Sequence, residues 1–241
     1  MVAFEDRAED VDLGLSVKWA KYNVNCTEHN FQQFLYAWGE QTPYTKDESY
    51  LHHRDPKVYF SWYSYFDIKS IEQKSWGPEI RFKKYDYEHF THVGTLLNED
   101  DVAYSAKEGW RTPTKAEWQE LLDNTSAWRK EYTYYNEELK KDTTVYGFEF
   151  TSRKNGNKIF LPITGYMDGY NLHNIEPMRP EDEKLAKGVY WASDLIDYHG
   201  FYMYASAFTF GRDRHNDSNY DPKLVTMERY KGLAIRPVRK T

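Results

Sequence analysis

The stretch GWRTPTKAEWQELL, residues 109–122, constrains the fold of this chain more than any other segment. Thr114 can cap a helix, and Glu117, three positions later, can return a hydrogen bond to it, which makes a capping box. The apolar side chains that follow have the i, i+3, i+4 spacing of one helical face; they are Trp118, Leu121 and Leu122. The pattern predicts a short helix that buries an aromatic stripe.

The segment NEDDVAYSAKEG, residues 98–109, predicts a second helix directly before the first. Acidic residues open it, apolar residues follow at helical spacing, and Gly109 ends it. Asp100 and Asp101 are therefore interpreted as the negative charge that a helix N-terminus favours, and not as a catalytic pair of carboxylates.

The other regular segments are short and β-prone, and the Asn155-Gly156 turn between two of them predicts a hairpin. The predicted strands lie at 11–20, 146–152, 158–166, 188–194, 201–210 and 232–238. Residues 128–143 are polar and are interpreted as a surface excursion. No linker rich in Gly, Pro or Ser interrupts the chain, so residues 1–241 are predicted to form one α+β domain.

Aromatic residues make up 18% of the chain, with 22 Tyr, 13 Phe and 8 Trp, so not every tyrosine can be interior. Tyrosine offers a large contact area at low entropy cost, which favours a contact surface. The net charge of −6 argues against a nucleic-acid partner. No apolar run approaches the ~20 residues of a membrane span, so no membrane insertion is expected.

The single cysteine, Cys26, excludes internal disulfides and a cysteine-based zinc cage. The N-terminal MVAFEDRAED has no basic-then-apolar signal segment. Two locations are therefore considered. One is extracellular or at the cell surface, with any export signal absent from this chain, and the alternative is cytoplasmic. No cofactor is expected.

Six fragments occur in the order VDLGLSVKWA, YAWGE, DDVAYSAKEGWRTPTKAEWQELLDN, NGNKIFLPITGY, GVYWASD and GLAIRPV. Together they resemble the Fibrobacter succinogenes major paralogous domain family of secreted Bacteroidetes domains, which has a C-type lectin-like fold. The core WRTPTKAEW is also similar to the RLPTEAEWE signature of the formylglycine-generating-enzyme-like branch of that fold.

The resemblance implies small twisted antiparallel sheets, two flanking helices, long loops, and paired N- and C-terminal strands. In this chain the runs expected to pair are LSVKWA (15–20) and LAIRPV (233–238), which are β-prone and apolar. The resemblance also makes five tryptophans scaffold residues, buried where their N–H groups find partners. They are Trp19, Trp38, Trp110, Trp118 and Trp191.

Enzymatic and metal-dependent chemistries find little support in the residues. Oxidation of a target cysteine on this fold uses two active-site thiols, and the chain has one. The triplet 176–178, Glu-Pro-Met, stands where calcium-dependent lectins have Glu-Pro-Asn, and methionine cannot supply the hard oxygen that calcium needs. His89 and His92 have only Asp86 and Glu88 nearby as further ligands. No catalytic residue and no metal site is predicted.

A polar region near the C-terminus is the predicted ligand-binding surface, with a solvated loop as the alternative. Residues 211–221, GRDRHNDSNYD, have no aliphatic side chain, and 194–204 supply tyrosines and a histidine. Such residues make adaptable contact surfaces. The predicted ligand-binding residues are Tyr198, His199, Tyr202, Tyr204, Arg212, Arg214, His215, Asn219 and Tyr220. The aromatic segment 43–66 is a second candidate, with a flap covering the core as its alternative.

Strand periodicity predicts how this surface is supported. If 201–210 is a strand, alternate side chains share one face, namely Tyr202, Tyr204, Ser206, Phe208 and Phe210. The two phenylalanines are expected at its buried end, and the two tyrosines at the rim beside the polar loop.

The leading hypothesis is a non-enzymatic module that binds a protein or glycan ligand at a bacterial or phage surface. A narrower version is the variable protein of a diversity-generating retroelement, because adenine-directed mutagenesis yields Asn, Asp, Ser, Tyr and His. The alternatives are an enzyme of the formylglycine-generating-like branch without paired-cysteine chemistry, and a structural or pilus-like surface subunit. Pairing of edge strands between copies would favour the last. The sequence leaves the oligomeric state open.

We expect no metal to be needed for folding, because the lectin-type triplet ends in Met178 and cysteine ligands are too few. Adding EDTA should leave the melting temperature of the purified chain unchanged. A sharp fall would contradict the expectation, since a metal bound only to the native state stabilises it by mass action.

Overall fold

Small antiparallel sheets dominate the computed structural model, which describes the chain in several stretches. These are residues 10–26, 34–41, 43, 68–74, 77–82, 94–136, 139–169, 171–173, 187–198, 201–211 and 221–241. At 68–74, 77–82, 171–173, 197–198 and 201–202 the backbone alone is described. The α+β class is confirmed at this coarse level, with many short strands and few helices.

The helices in the described stretches are α1, Val102–Ala106, and α2, Lys115–Asn124, with a 3-10 turn at Asn98–Asp100. Neither α-helix is long and apolar enough to cross a membrane. The strands are β1 Asp10–Val11, β2 Val17–Ala20, β3 Ile68–Lys74, β4 Gly77–Phe82, β5 Trp110–Arg111, β6 Thr125–Asn136, β7 Lys141–Ser152, β8 Lys158–Pro162, β9 Tyr166–Asp168, β10 Asn171–His173, β11 Lys187–Tyr198, β12 Phe201–Gly211, β13 Lys223–Glu228 and β14 Val238–Lys240. Their sheet orders are β1-β2-β14-β5, β3-β4, β6-β7-β8, β9-β10 and β11-β12-β13.

The two ends of the chain meet in the first sheet, as predicted, but in a later register. β14 pairs antiparallel with β2, and Val238 lies opposite Trp19, so the run 233–238 joins the ladder only at its last residue. Pro237 has no N–H to donate, and regular pairing begins after it; its carbonyl accepts the Ala20 N–H at 2.9 Å. Earlier residues form isolated bridges, Leu233 to Tyr36 and Ala234 to Tyr190.

The predicted capping box is present at the start of α2. The Thr114 hydroxyl accepts the Glu117 N–H at 3.2 Å, and the Glu117 carboxylate accepts the Thr114 N–H at 2.8 Å. Trp118 and Leu121 are buried, and Leu122 is partly buried against the same core. The predicted apolar face is therefore the face that docks.

Helix α1 is shorter than the predicted segment 98–109, because Asp101 caps it from within that segment. The Asp101 carboxylate accepts the Ala103 N–H at 2.9 Å, and it also accepts the backbone N–H and the hydroxyl of Thr112 at 2.7 and 2.8 Å. One buried carboxylate thus ends the preceding turn and ties α1 to the strand that follows it.

Much of 128–143 is exposed, as its interpretation as a surface excursion predicts, but its described residues belong to a long β-hairpin that the sequence analysis does not predict. β6 and β7 pair without interruption from Thr125 opposite Ser152 to Asn136 opposite Lys141. Tyrosine and threonine in both strands, and Val145 in β7, favour extended backbone. Six consecutive residues of β6, 128–133, are exposed, so the segment lacks the apolar alternation from which a strand is predicted.

The central sheet β11-β12-β13 divides the core into two clusters. On one face Tyr190, Phe208 and Phe210 pack with Trp118 and the β7–β8 hairpin. The opposite face packs against α1 and the segment around Trp38 through small and apolar side chains, namely Val189, Trp191, Ala205 and Ala207. Successive residues of a strand point to opposite faces, so one sheet organises both clusters.

The five scaffold tryptophans are all buried, as predicted, but the indole N–H of Trp19 has no hydrogen-bond partner among the described residues, so the expectation of a partner is wrong for that residue. Three of their indole N–H groups find backbone carbonyls: Trp38 donates to Ala192 at 3.0 Å, Trp118 to Trp191 at 3.2 Å, and Trp191 to Tyr36 at 2.7 Å. Each bond joins segments far apart in sequence, so these residues connect the core clusters as well as filling them.

Replacing Trp118 with alanine should lower the free energy of unfolding by about 3–5 kcal/mol, because it removes a fully buried aromatic side chain. Thr114→Ala should cost about 1 kcal/mol through the lost cap. Tyr135→Ala, which truncates an exposed aromatic residue, is the control and should cost less than about 0.5 kcal/mol. Denaturant titration measures all three, and an unchanged midpoint for Trp118→Ala would show that the helix does not dock as described.

Candidate functional site

The predicted C-terminal surface is built on the β11–β12 hairpin. Tyr198 and Tyr202 lie on its two strands, near the turn that joins them, where the backbone is described. Tyr204 is described in full. The other predicted residues lie outside the described residues: His199, Arg212, Arg214, His215, Asn219 and Tyr220. The candidate segment 43–66 also lies outside them, except for residue 43.

Strand β12 has the predicted change in burial along one face. Phe208 and Phe210 lie in the core, Ser206 is buried, and Tyr204 is only partly buried. The ring of Phe208 stacks on the ring of Trp118 with centroids 4.3 Å apart. Tyr204 is therefore a rim residue on a strand whose other end is held in the core. The expectation that it lies beside the polar run 211–221 is wrong, because Gly211, where that run begins, is at the buried end of β12 with Phe210.

The polar residues that lie near Tyr204 are not predicted by the sequence analysis. It lies opposite Glu228 of β13, and residues paired in this way share a face of the sheet. The Glu228 carboxylate is 3.0 Å from the Lys231 ammonium, and the carboxylate of Asp168 is 3.2 Å from the same ammonium. The Tyr230 hydroxyl donates to Asp168 at 3.2 Å. We call Asp168, Glu228, Tyr230 and Lys231 the Lys231 cluster.

The Lys231 cluster is fixed by its charges and by the backbone. Burial lowers the pKa of Lys231, but the hydrogen bond from its ammonium to Glu228 and the charges of Glu228 and Asp168 outweigh burial and raise that pKa to about 12. Burial, together with the Asp168 charge, raises the pKa of Tyr230 to about 12. Neither Lys231 nor Tyr230 is therefore poised to exchange a proton near neutral pH.

Reciprocal backbone bonds support this arrangement. Met167 donates to the Gly232 carbonyl at 2.8 Å, and Gly232 donates to the Met167 carbonyl at 3.0 Å. The Lys231 ammonium also lies 5.6 Å from the ring centroid of Tyr166. The segment after Thr164 is thereby bound to the end of β13, 63 residues further along the chain from Asp168 to Lys231.

Sequence reasoning misses this part of the site for an identifiable reason. No strand is predicted at 223–228, although Leu224, Val225 and Thr226 are β-prone residues. That short run was the available signal. No local sequence pattern predicts the ion pair of Lys231 with Asp168, because the two residues are far apart along the chain.

A second polar cluster surrounds the start of α2 and belongs to the scaffold. The two terminal guanidinium nitrogens of Arg111 donate to the two carboxylate oxygens of Glu117, which makes a bidentate ion pair. Burial raises the pKa of Glu117, but the hydrogen bonds from Arg111 and Thr114 outweigh it and hold that pKa below its usual range. The Asp194 carboxylate accepts the Lys115 N–H at 2.5 Å. These groups satisfy the helix terminus and one another.

The other candidate reactive and metal-ligating residues are the single cysteine, two histidines and the triplet 176–178. Cys26 is buried, and burial raises the pKa of its thiol to about 12, far from the range of a reactive thiolate. No group of three or more metal-ligating side chains occurs among the residues that the structure describes. His89 and His92, and the triplet 176–178, lie outside them.

Comparison with known proteins adds little. No protein-family model matches the chain, and no solved structure matches it. Serpin B13 of Homo sapiens is similar to part of it, with 28% identity over 92 residues, which are 38% of this chain and 24% of the serpin. The chain thus spans about a quarter of the length of that serpin. A similarity of this extent assigns neither a family nor an activity.

Cys26 should be unreactive in the native protein at pH 8. With the pKa of the thiol near 12 and the side chain buried, almost none of it is an accessible thiolate. Ellman's reagent should detect no thiol before denaturation and one thiol per chain in guanidinium chloride. Rapid reaction of the native protein would mean that Cys26 is accessible and available for chemistry.

Proposed function

We propose that the chain is a non-enzymatic recognition module of the C-type lectin-like fold, which binds a protein or glycan ligand through its C-terminal loops. The paired ends of the chain and the capped helix α2 packed beneath the central sheet support this fold. An extracellular or cell-surface location is part of the proposal and rests on the sequence resemblance.

The observation that carries the proposal is the position of Tyr204. Its strand is anchored by Phe208 and Phe210 in the core, while Tyr204 reaches the rim opposite Glu228 and beside the Lys231 cluster. Rigid tyrosines next to ordered charged groups provide contact area with little loss of entropy on binding. Gly211, where the polar run 211–221 begins, lies at the other end of β12 from Tyr204, so the support described here is for the surface around Tyr204.

In the narrower version of the proposal, the chain is the variable protein of a diversity-generating retroelement. The nucleotide sequence of its gene tests this version. Adenine-directed mutagenesis acts on codons, so positions 197–221 should be rich in AAY-type codons, with a near-identical template repeat close by. A gene without such a repeat would remove the narrower version and leave the recognition function standing.

Replacing Tyr202, Tyr204 and Arg212 together with alanine should abolish binding to an array of glycans and immobilised bacterial surface proteins. Removing aromatic and arginine anchors typically weakens binding by on the order of tenfold or more each. The melting temperature should stay nearly unchanged, because the strand is held by its phenylalanines. Tyr135→Ala, on the β6–β7 hairpin, is the control and should bind as the wild type does.

Two outcomes would contradict the proposal. Unfolding of the triple variant would mean that these residues belong to the core, and Tyr204→Phe, which keeps the ring and removes the hydroxyl, then separates packing from polar contact. A folded triple variant that still binds would place the site elsewhere, with 43–66 as the next candidate.

A further inference from the structure

The turn between β7 and β8 holds residues 12–14 against the core. The Asp12 carbonyl accepts the side-chain amide of Asn155 at 2.9 Å and that of Asn157 at 2.7 Å. The carbonyl that follows belongs to a fully buried leucine and accepts the Ser152 hydroxyl at 2.7 Å. We call these three donors, Ser152, Asn155 and Asn157, the clasp. The clasp fixes the path by which the start of the chain enters the core.

The middle residue of the clasp has a labile side chain. Asn155 is exposed and precedes Gly156, and this Asn-Gly pair is the only one in the sequence. Asparagine is a thermolabile residue type, and a following glycine has no side chain to shield its backbone nitrogen. Gly156 has a φ of 76°, which other residue types rarely adopt. The turn therefore requires the glycine that makes Asn155 reactive.

The reaction that this pair supports is deamidation, which needs only water. The Gly156 backbone nitrogen attacks Cγ of Asn155, and its proton passes through water to the leaving amide group. The new C–N bond closes a succinimide, while the Cγ–Nδ2 bond breaks and releases ammonia. Water then opens the ring. Breaking the new C–N bond gives aspartate, and breaking the original peptide bond gives isoaspartate.

Hydrogen bonds of the closed clasp occupy the reacting groups. The Gly156 N–H donates to the Ser152 carbonyl at 3.1 Å. The Asn155 side-chain oxygen accepts the Asn157 N–H at 3.0 Å, while its amide nitrogen donates to Asp12. Attack by the Gly156 nitrogen requires these bonds to break, so the reaction depends on local opening of the turn. The closed clasp slows the reaction, and an open clasp permits it.

We propose that Asn155 is a self-modification site, whose deamidation is gated by the clasp and whose product holds residues 12–14 less firmly. An aspartate at this position faces the Asp12 carbonyl with a negative oxygen in place of a donor. An isoaspartate also lengthens the backbone by a methylene group, which displaces the Gly156 N–H from its acceptor. Water does not reverse either product, so opening of the clasp becomes permanent. The modification is independent of ligand binding at the C-terminal surface.

Mass spectrometry of the chymotryptic peptide 151–160 measures the reaction in the full chain after incubation in mildly alkaline buffer. The native chain should deamidate more slowly than the chain in guanidinium chloride, by roughly tenfold or more. Asn157→Ala removes one bond to Asp12 and should speed the native reaction roughly fivefold. Lys158→Ala, which changes a neighbouring side chain that bonds to Glu149, is the control and should leave the rate unchanged.

Amide hydrogen exchange tests the consequence for the start of the chain. Deamidated chains carry an additional negative charge and are separated by ion exchange. They should exchange faster than unmodified chains over residues 12–16, and Asn155→Asp should do so without incubation. Asn155→Gln, which keeps an amide but cannot form the succinimide, should resist the reaction.

Three results would overturn the proposal. The first is an absence of reaction at position 155, or equal rates in the native and unfolded chains. The second is a native rate that Asn157→Ala leaves unchanged. The third is a deamidated chain in which residues 12–16 exchange as they do in the unmodified chain.

Discussion

The docking of Trp118 is the contact on which the rest of this structure depends. Its ring stacks on Phe208 of β12, lies 4.7 Å from the ring of Trp19 in β2, and its N–H donates to the backbone of β11. One side chain therefore joins helix α2, the terminal sheet and the central sheet. The capping box at Thr114 sets where α2 begins, and so sets the height at which Trp118 enters the core.

A buried cation holds the ends of the chain against this core. The Arg236 guanidinium donates to the Asn23 side chain at 2.8 Å and to the backbone carbonyls of Ala20, at 2.9 Å, and Phe160, at 2.9 Å. Burying a charge is costly unless its donors are occupied, so these oxygens make the position tolerable. The same bonds tie β2 and β8 to the C-terminal segment, which explains how short strands and irregular stretches form one core.

This interior anchors β12 and β6, and the exposed parts of these two strands carry different side chains. The rim at Tyr204 is polar and lies beside the Lys231 cluster, which supports the proposed recognition surface. The middle of β6 is exposed and carries Trp128.

Local patterns by themselves determined the capped helix at 115–124, the hairpin turn at Gly156, the buried tryptophans and the change from Phe210 to Tyr204 along β12. Each of these depends on neighbours in sequence, through capping, periodicity or turn conformation. The tertiary structure alone decided that Asp168 meets Lys231 and that the polar segment after Asn124 forms the β6–β7 hairpin. Contacts between distant residues depend on how the core closes, and a strand exposed on both faces lacks the apolar alternation that would reveal it.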